Sequence, residues 1–263
     1  MIKMMSGESF PDLLVEHRGA ILWVTLNRPE RLNALNGAIR DQLEELWAHT
    51  AGDPEVRCVV LTGQGRGFCA GADVDDLAGP RKGRGDLDAE LAFLPGRNLS
   101  VPVVVAVNGA CAGGGLHFIA DSDIALAAAS SSFLDPHVSV GQVTGIEPSS
   151  LLPIMSAQQI AKLAYLGSAG RLGAEEALAA GLVAEVVADD QLLQRAEAIG
   201  QAICAASPAA VRVSRSLLRA AIDGATRPAM AAGWEAVQKH WSHPDAHEGP
   251  VAYAERRPPN WQQ

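Results

Sequence analysis

The sequence predicts an α/β fold with a helical C-terminal region, and three observations carry that expectation. A unit of buried strand, glycine-rich turn and helix recurs in the first half. Residues 56–62 run into the glycine-rich stretch 63–73, and residues 101–107 run into a second such turn, 108–115, with a helix near 116–120 and a further strand at 123–129. From about Ser156 onward the chain is alanine-rich with helical spacing. Finally, 263 residues with 48% hydrophobic and 19% charged side chains suit one large core with a smaller appendage, and exclude a disordered, collagen-like or coiled-coil chain.

Taken in order, residues 13–16 and 20–26 flank Arg18-Gly19 and predict a β-hairpin, and 27–30 make a turn. Asn36 can cap a helix over 37–49, with Ile39, Leu43, Leu46 and Trp47 on one face. Asp53-Pro54 breaks the chain before the first buried strand. Residues 79–85 form a charged, glycine-rich loop with Arg81, Lys82 and Arg84, and 86–100 are mainly helical with an interruption at Pro95-Gly96. Helices are expected over 157–166, 174–180, 191–206, 208–223 and 228–240, with 183–187 as a last short strand and regular structure ending near Pro258-Pro259. This divides the chain into a core over 1–190 and a helical region over 191–263. The final helices suit a cap or an oligomer contact rather than a self-sufficient domain.

Several functions are set aside on composition. Lys plus Arg is 21 against 30 for Asp plus Glu, a net charge of −9 with no basic cluster, so no nucleic-acid partner is expected. The longest apolar runs are of strand length, far short of a membrane span, and the first ten residues carry no targeting pattern. Cys58, Cys69, Cys111 and Cys204 form no CxxC pair and read as reduced, mostly buried thiols of a cytoplasmic protein. His240, His243 and His247 lack a ligand motif and are interrupted by Pro244, so no metal is expected.

The two glycine loops are the chemical signal. Glycine lets the backbone approach a ligand closely, and a helix starting there offers unpaired N–H groups. Two such loops can place two donors around one oxygen, as in an oxyanion hole. Gly63-x-Gly65-x-Gly67 is neither a P-loop nor GxGxxG, and the second loop is a plain triple glycine. The residues alone leave an oxyanion hole, an anion site and tight packing open.

Residues 27–35 (Asn-Arg-Pro-Glu-Arg-Leu-Asn-Ala-Leu), 68–74 (Phe-Cys-Ala-Gly-Ala-Asp-Val) and 108–115 (Asn-Gly-Ala-Cys-Ala-Gly-Gly-Gly) resemble the crotonase, or enoyl-CoA hydratase/isomerase, superfamily. The stretch 168–187 resembles it too, and the likeness runs in consistent order from about Val15 to Val187. The resemblance implies a crotonase-like spiral of ββα units with a C-terminal helical region, assembled as a homotrimer or homohexamer. It implies an acyl-CoA thioester whose carbonyl oxygen is held by the N–H groups of Ala72 and Gly114. The backbone at Ala70, Asp73 and Val74 would run beside CoA, and Arg31, Leu32 and Ala34 would line its entrance. No metal or redox cofactor is implied; the CoA thioester is the substrate.

The chain departs from the pattern where the chemistry lies. Hydratases of the family add water with two glutamates. Here the first position is His117, two residues after the triple glycine, and the second is His137, in Phe133-Leu-Asp-Pro-His137. A lysine common after the first loop is Asp75. Two imidazoles can share acid–base work, yet bring no negative charge, so the two-glutamate mechanism does not carry over. Each also reads as a packed core histidine. Glu147, ten residues after His137, either orients His137, acts as the base, or is a carboxylate favoured at a helix start before Pro148. Among Asp121, Asp123 and Asp135, Asp123 reads as structural, and Asp135 shares a face with His137 if the segment is extended.

Three readings follow. One is a lyase or isomerase of the hydratase/isomerase group in which His117 and His137 move protons around an enolate. The second is a hydrolase of a thioester or of a β-diketone C–C bond that uses histidine and Glu147. The third is a non-catalytic acyl-CoA binder.

Overall fold

The computed structural model describes residues 3–4, 10–73, 83 and 85–262. A seven-stranded sheet forms its spine, with strands in the order β1 (Lys3–Met4), β2 (Leu13–Arg18), β3 (Ile21–Leu26), β4 (Cys58–Gly63), β6 (Val103–Val107), β8 (Ile124–Ala128) and β11 (Glu185–Val187). A smaller sheet runs β10 (Leu172–Gly173), β9 (Ser132–Leu134), β7 (Ala110–Ala112), β5 (Gly67–Cys69). The β2–β3 hairpin is antiparallel, while β3, β4, β6, β8 and β11 pair in parallel.

Each turn of the chain therefore gives one strand to the large sheet and the next to the small one. β4 is followed by β5, β6 by β7, and β8 by β9. The pairs are closed by helices: α1 (Gly37–Thr50) before β4, α4 (Gly115–Asp121) after β7, and α5 (Glu147–Leu151) after β9, with α6 (Ala157–Leu166) and α7 (Ala174–Ala180) following before β11. This is the spiral of ββα units that the family resemblance implies.

The apolar runs in the sequence are continuous because both faces of the large sheet are buried. Val59, Leu61, Val103, Val105 and Val107 face a core shared with α1 and α4. Cys58, Val60, Val104 and Ala106 face the other way, against Leu192 and Ala196 of α8 (Leu192–Ala205). Asn36 caps α1 as expected, its side chain accepting the Ile39 N–H at 3.0 Å.

Two expectations are corrected. Pro95 does not interrupt a helix. It starts one, α3 (Pro95–Asn98), after the short α2 (Leu87–Glu90), because a missing N–H costs nothing at the first helical position. The segments 208–223 and 228–240 form one helix, α9 (Pro208–His240), with Pro228 inside it. Packing along its length outweighs the lost hydrogen bond: Arg215, Thr226, Met230 and Trp234 are all buried.

α9 and the following α10 (Pro244–Ala254) lie across the segment 137–151. Gly145 and Gly233 cross backbone to backbone, so that a Cβ on either would enter the other's carbonyl oxygen. His240 Nε2 reaches the Gly141 carbonyl at 2.9 Å, and Gln142 Nε2 donates to the Ala246 carbonyl at 3.0 Å. No helix among the described residues is long and apolar enough to cross a membrane.

Candidate active site

The first loop is held by side chains that carry no chemistry of their own. Leu32 and Asn33 both take positive φ, +51° and +56°. Asn33 tolerates this conformation through local hydrogen bonds. Its buried amide oxygen accepts the Arg28 N–H at 2.8 Å, and its nitrogen donates to the carbonyls of Gly67 (2.8 Å) and Gln64 (3.0 Å). Residues 31–35 thereby lie alongside 70–73. The Ala70 N–H donates to Leu32 O (3.0 Å), Leu35 N–H to Gly71 O (2.7 Å) and Asp73 N–H to Leu35 O (3.0 Å).

Of the expected CoA-lining residues, Arg31 is exposed, Leu32 half-buried against Gly67, and Ala34 buried with its carbonyl bonded to Arg28. Ala70 is half-buried. The Asp73 side chain turns inward onto Arg28 at 3.0 Å. Val74 lies outside the described residues, as do Asp75, Arg81, Lys82 and Arg84.

The two glycine loops meet at Gly71 and Gly114. Gly71 has φ +85°, and a Cβ there would stand 2.7 Å from Ala112 O and 3.1 Å from Gly114 N. A Cβ on Gly114 would lie 3.9 Å from Ala72 N and 3.3 Å from Leu35 Cδ1. The backbone nitrogens of Ala72 and Gly114 are thus neighbours. Among the described residues neither donates to a protein acceptor. Gly114 is the N-cap of α4, whose Phe118 is wedged edge-on between Phe68 (6.0 Å) and Phe93 (5.4 Å). That burial, worth about 2–3 kcal/mol for a phenylalanine, fixes the helix that carries His117.

His117, His137 and Glu147 converge. His117 Nε2 lies 3.1 Å from Glu147 Oε1, and His137 Nε2 lies 3.7 Å from the same oxygen. Glu147 begins α5, and its side chain is only 6% exposed. Glu147 thus stands at a helix start and also within reach of two imidazoles, closer to His117 than to His137. Burial alone would raise the Glu147 carboxyl, but His137 and His117 outweigh it and hold the group well below the usual carboxylate range. The cluster adjoins the paired N–H groups: a Cβ on Gly113 would stand 3.4 Å from His137 Cε1.

Asp135 is drawn in more closely than the sequence suggested. Its Oδ1 is 2.5 Å from His137 Nδ1, and its Oδ2 accepts the Thr144 hydroxyl at 2.5 Å. Thr144 Oγ1 is also 3.3 Å from Glu147 Oε2. Thr144 was not a candidate on sequence. The available signal was its place three residues before Glu147, where Thr-x-x-Glu is a common helix-start spacing. Asp121 and Asp123 are structural, tied to Arg219 and Arg215 of α9.

Asp135, His137 and Glu147 present ligand-type atoms within 4.8 Å of one another, so the donor set could accept a small divalent cation. Two of the three histidines near the C-terminus have other partners. His240 bonds Gly141 O, its ring stacks on His243 at 5.0 Å, and His243 caps α10 by accepting the Asp245 N–H.

Comparison with known proteins agrees with this architecture. The enoyl-CoA hydratase/isomerase family model matches residues 16–263. The chain is 33% identical to the enoyl-CoA hydratase EchA19 of Mycobacterium tuberculosis, over 98% of this chain and 99% of that protein. It is 36% identical to the 1,2-epoxyphenylacetyl-CoA isomerase of Escherichia coli, over 69% of this chain and 71% of that protein. Among solved structures, the carnitinyl-CoA hydratase of Mycobacterium avium superimposes with a TM-score of 0.86 at 30% identity, covering 95% of this chain and 98% of that one. With this spiral and these relatives, the chain belongs to the enoyl-CoA hydratase/isomerase family of the crotonase superfamily and is an enzyme of that family.

Proposed function

We propose that this enzyme binds an acyl-CoA thioester, holds its carbonyl oxygen on the Ala72 and Gly114 N–H groups, and moves protons with His117, Glu147 and His137. The observation that carries the reading is the placement of one buried carboxylate oxygen, Glu147 Oε1, 3.1 Å from one imidazole and 3.7 Å from another, beside that N–H pair.

Removing a proton from the carbon next to a thioester puts charge on the carbonyl oxygen. Two preorganised donors lower that barrier, each by about 3 kcal/mol. The proton needs a base nearby and an acid to return it at the α- or γ-carbon. In a hydratase the acid protonates the α-carbon after water adds at the β-carbon. Two glutamates meet that need because one is ionised while the other carries a proton. Here Glu147 supplies the negative charge that two histidines alone lack, and the imidazoles supply the exchangeable protons. The thioester is the only organic cofactor chemistry the reading calls for. The assembly expected with it is a trimer or a pair of trimers.

Hydrolysis of a thioester or a β-diketone C–C bond is the second reading. The 2.5 Å contact between His137 and buried Asp135 favours it, because a carboxylate behind an imidazole makes a base suited to water. One experiment separates the two. A mixed acyl-CoA panel including crotonyl-CoA and a β-ketoacyl-CoA is incubated with the protein in heavy-oxygen water, and separately in deuterium oxide, and read by mass spectrometry. Heavy oxygen on an enoyl chain indicates hydration. Deuterium at the α- or γ-carbon without added oxygen indicates isomerase-type transfer. Free CoA or a cleaved acyl fragment indicates hydrolysis. Unchanged masses across the panel would defeat the proposal.

A further inference from the structure

Asp135, His137, Glu147 and Thr144 close a ring. Asp135 Oδ1 meets His137 Nδ1 at 2.5 Å, His137 Nε2 faces Glu147 Oε1 at 3.7 Å, Thr144 Oγ1 faces Glu147 Oε2 at 3.3 Å, and Thr144 Oγ1 meets Asp135 Oδ2 at 2.5 Å. The four contacts are unequal. The two to Asp135 are short, and the two to Glu147 are long. A threonine hydroxyl has one proton to give, and the shorter contact assigns it to Asp135.

Asp135 is buried at the end of β9 and has three partners: the His137 ring nitrogen Nδ1, the Thr144 hydroxyl and, at 3.2 Å, the His137 backbone N–H. The last bond locks the turn Asp135-Pro136-His137, so the carboxylate holds both the backbone and the ring of the same histidine. The His137 side chain is 27% exposed, against 10% for His117, 6% for Glu147 and 2% for Asp135. The ring of contacts opens at His137.

We propose that Asp135, steadied by Thr144, is a positioning residue that fixes the tautomer and orientation of His137, with the proton on Nδ1, so that His137 exchanges protons through Nε2. This rests on the reading of His137 as a proton-moving group. A neutral imidazole carries one proton, and a carboxylate oxygen that can only accept draws it to Nδ1, leaving the basic lone pair on Nε2. Glu147 lies on the Nε2 side, and at 3.7 Å it is too far to dictate the tautomer. Glu147 is thus the partner of His117, and Asp135 the partner of His137.

The test is made on the full chain labelled with 15N in histidine only. The chain has seven histidines, and the His137 signals are those missing from His137→Gln. In the wild type at mildly alkaline pH, Nδ1 should give the protonated-type signal and Nε2 the lone-pair type. Asp135→Asn can donate to Nδ1, so it should move the proton to Nε2. Thr144→Val should broaden or mix the two forms, and Thr144→Ser should restore the wild-type pattern. On whichever acyl-CoA the panel shows to turn over, Asp135→Asn should lower kcat by about two orders of magnitude with KM within a few-fold. The spectrum needs no substrate, so it decides the tautomer even if every acyl-CoA fails. If Asp135→Asn does not fold, Asp135→Glu and Thr144→Val carry the same readout. A wild-type His137 protonated on Nε2, or a tautomer unmoved by all these variants, would overturn the proposal. So would His137 signals that move when a chelator strips a metal detected in the purified protein, since the cluster would then be a metal centre.

Discussion

His117 Nε2 and Glu147 Oε1 face each other at 3.1 Å from the starts of helices in two successive units of the spiral. Neither belongs to the glycine loops, yet the fold delivers both beside them. His117 follows Gly114 by less than one helical turn, and Glu147 is pressed in from outside where Gly145 crosses Gly233 of α9. The long C-terminal helix thus shapes the candidate site from behind.

Glu147→Gln keeps the shape of the side chain and removes its charge. An amide cannot hold a proton between two imidazoles, so kcat on the turned-over acyl-CoA should fall at least about 100-fold with KM changed only a few-fold. Steady-state kinetics with a matched unfolding curve provide the check. A Gln variant at near wild-type kcat removes Glu147 from the proton path.

Gly71→Ala probes the paired N–H groups without deleting either. At φ +85° an alanine is strained, and its methyl would press on Ala112 O and Gly114 N. The loops should part by a few tenths of an ångström, misaligning the donors and lowering kcat by about two orders of magnitude. Binding of a non-hydrolysable acyl-CoA analogue should weaken far less. A folded variant with unchanged turnover shows that the carbonyl oxygen sits elsewhere.

Asn33→Ala should be mainly a stability lesion. It strips partners from the Arg28 N–H and the Gly67 and Gln64 carbonyls, and it puts alanine at φ +56°. Urea unfolding should show a loss of about 3 kcal/mol. Asn33→Asp still accepts from Arg28 but sets a buried carboxylate oxygen against the Gly67 and Gln64 carbonyls, so it should be destabilised at least as much as the alanine variant. Equal stability of all three forms would mean that water replaces the amide.

Much of this was legible in the sequence because periodicity reports burial and glycine reports close approach. The hairpin, α1 with its Asn36 cap and the strand–glycine loop–helix units follow from such local rules, whereas the meeting of the two loops was left open by the residues alone and was implied only by the family resemblance. The continuity of α9 through Pro228 was not legible, since the contacts that outweigh a proline come from residues more than a hundred positions away, such as the Arg97–Met230 contact. The ring around His137 was legible only in part. Asp135 and Glu147 are close enough in sequence to be suspected, but which of them holds the imidazole depends on a turn set by Pro136 and on Thr144, whose partners no pattern announces. Likewise Asp73 stands in a loop that reads as a ligand contact, while its side chain is turned inward to Arg28.

Asp121 makes stability depend on pH in a way that can be isolated. It closes α4, accepts the Gly96 N–H at 2.5 Å and pairs with Arg219 at 3.0 Å. Burial raises its carboxyl to about 6, against the pull of Arg219, Arg97, the Gly96 N–H and Arg215. The folded value lies above the unfolded one, so the folded state binds the extra proton. The stability this adds is complete below the unfolded value of about 4 and is lost as pH rises through about 6. Asp121→Asn keeps an acceptor for Gly96 but cannot titrate. Relative to that variant, the wild type should lose on the order of 3 kcal/mol between about pH 4 and about pH 7, the energy of a shift of roughly two units. Only the difference between the two pH curves counts, because other groups titrate in both proteins. Parallel curves would mean that Arg219 and Arg97 keep Asp121 ionised throughout, and that the proton taken up by the folded state resides elsewhere.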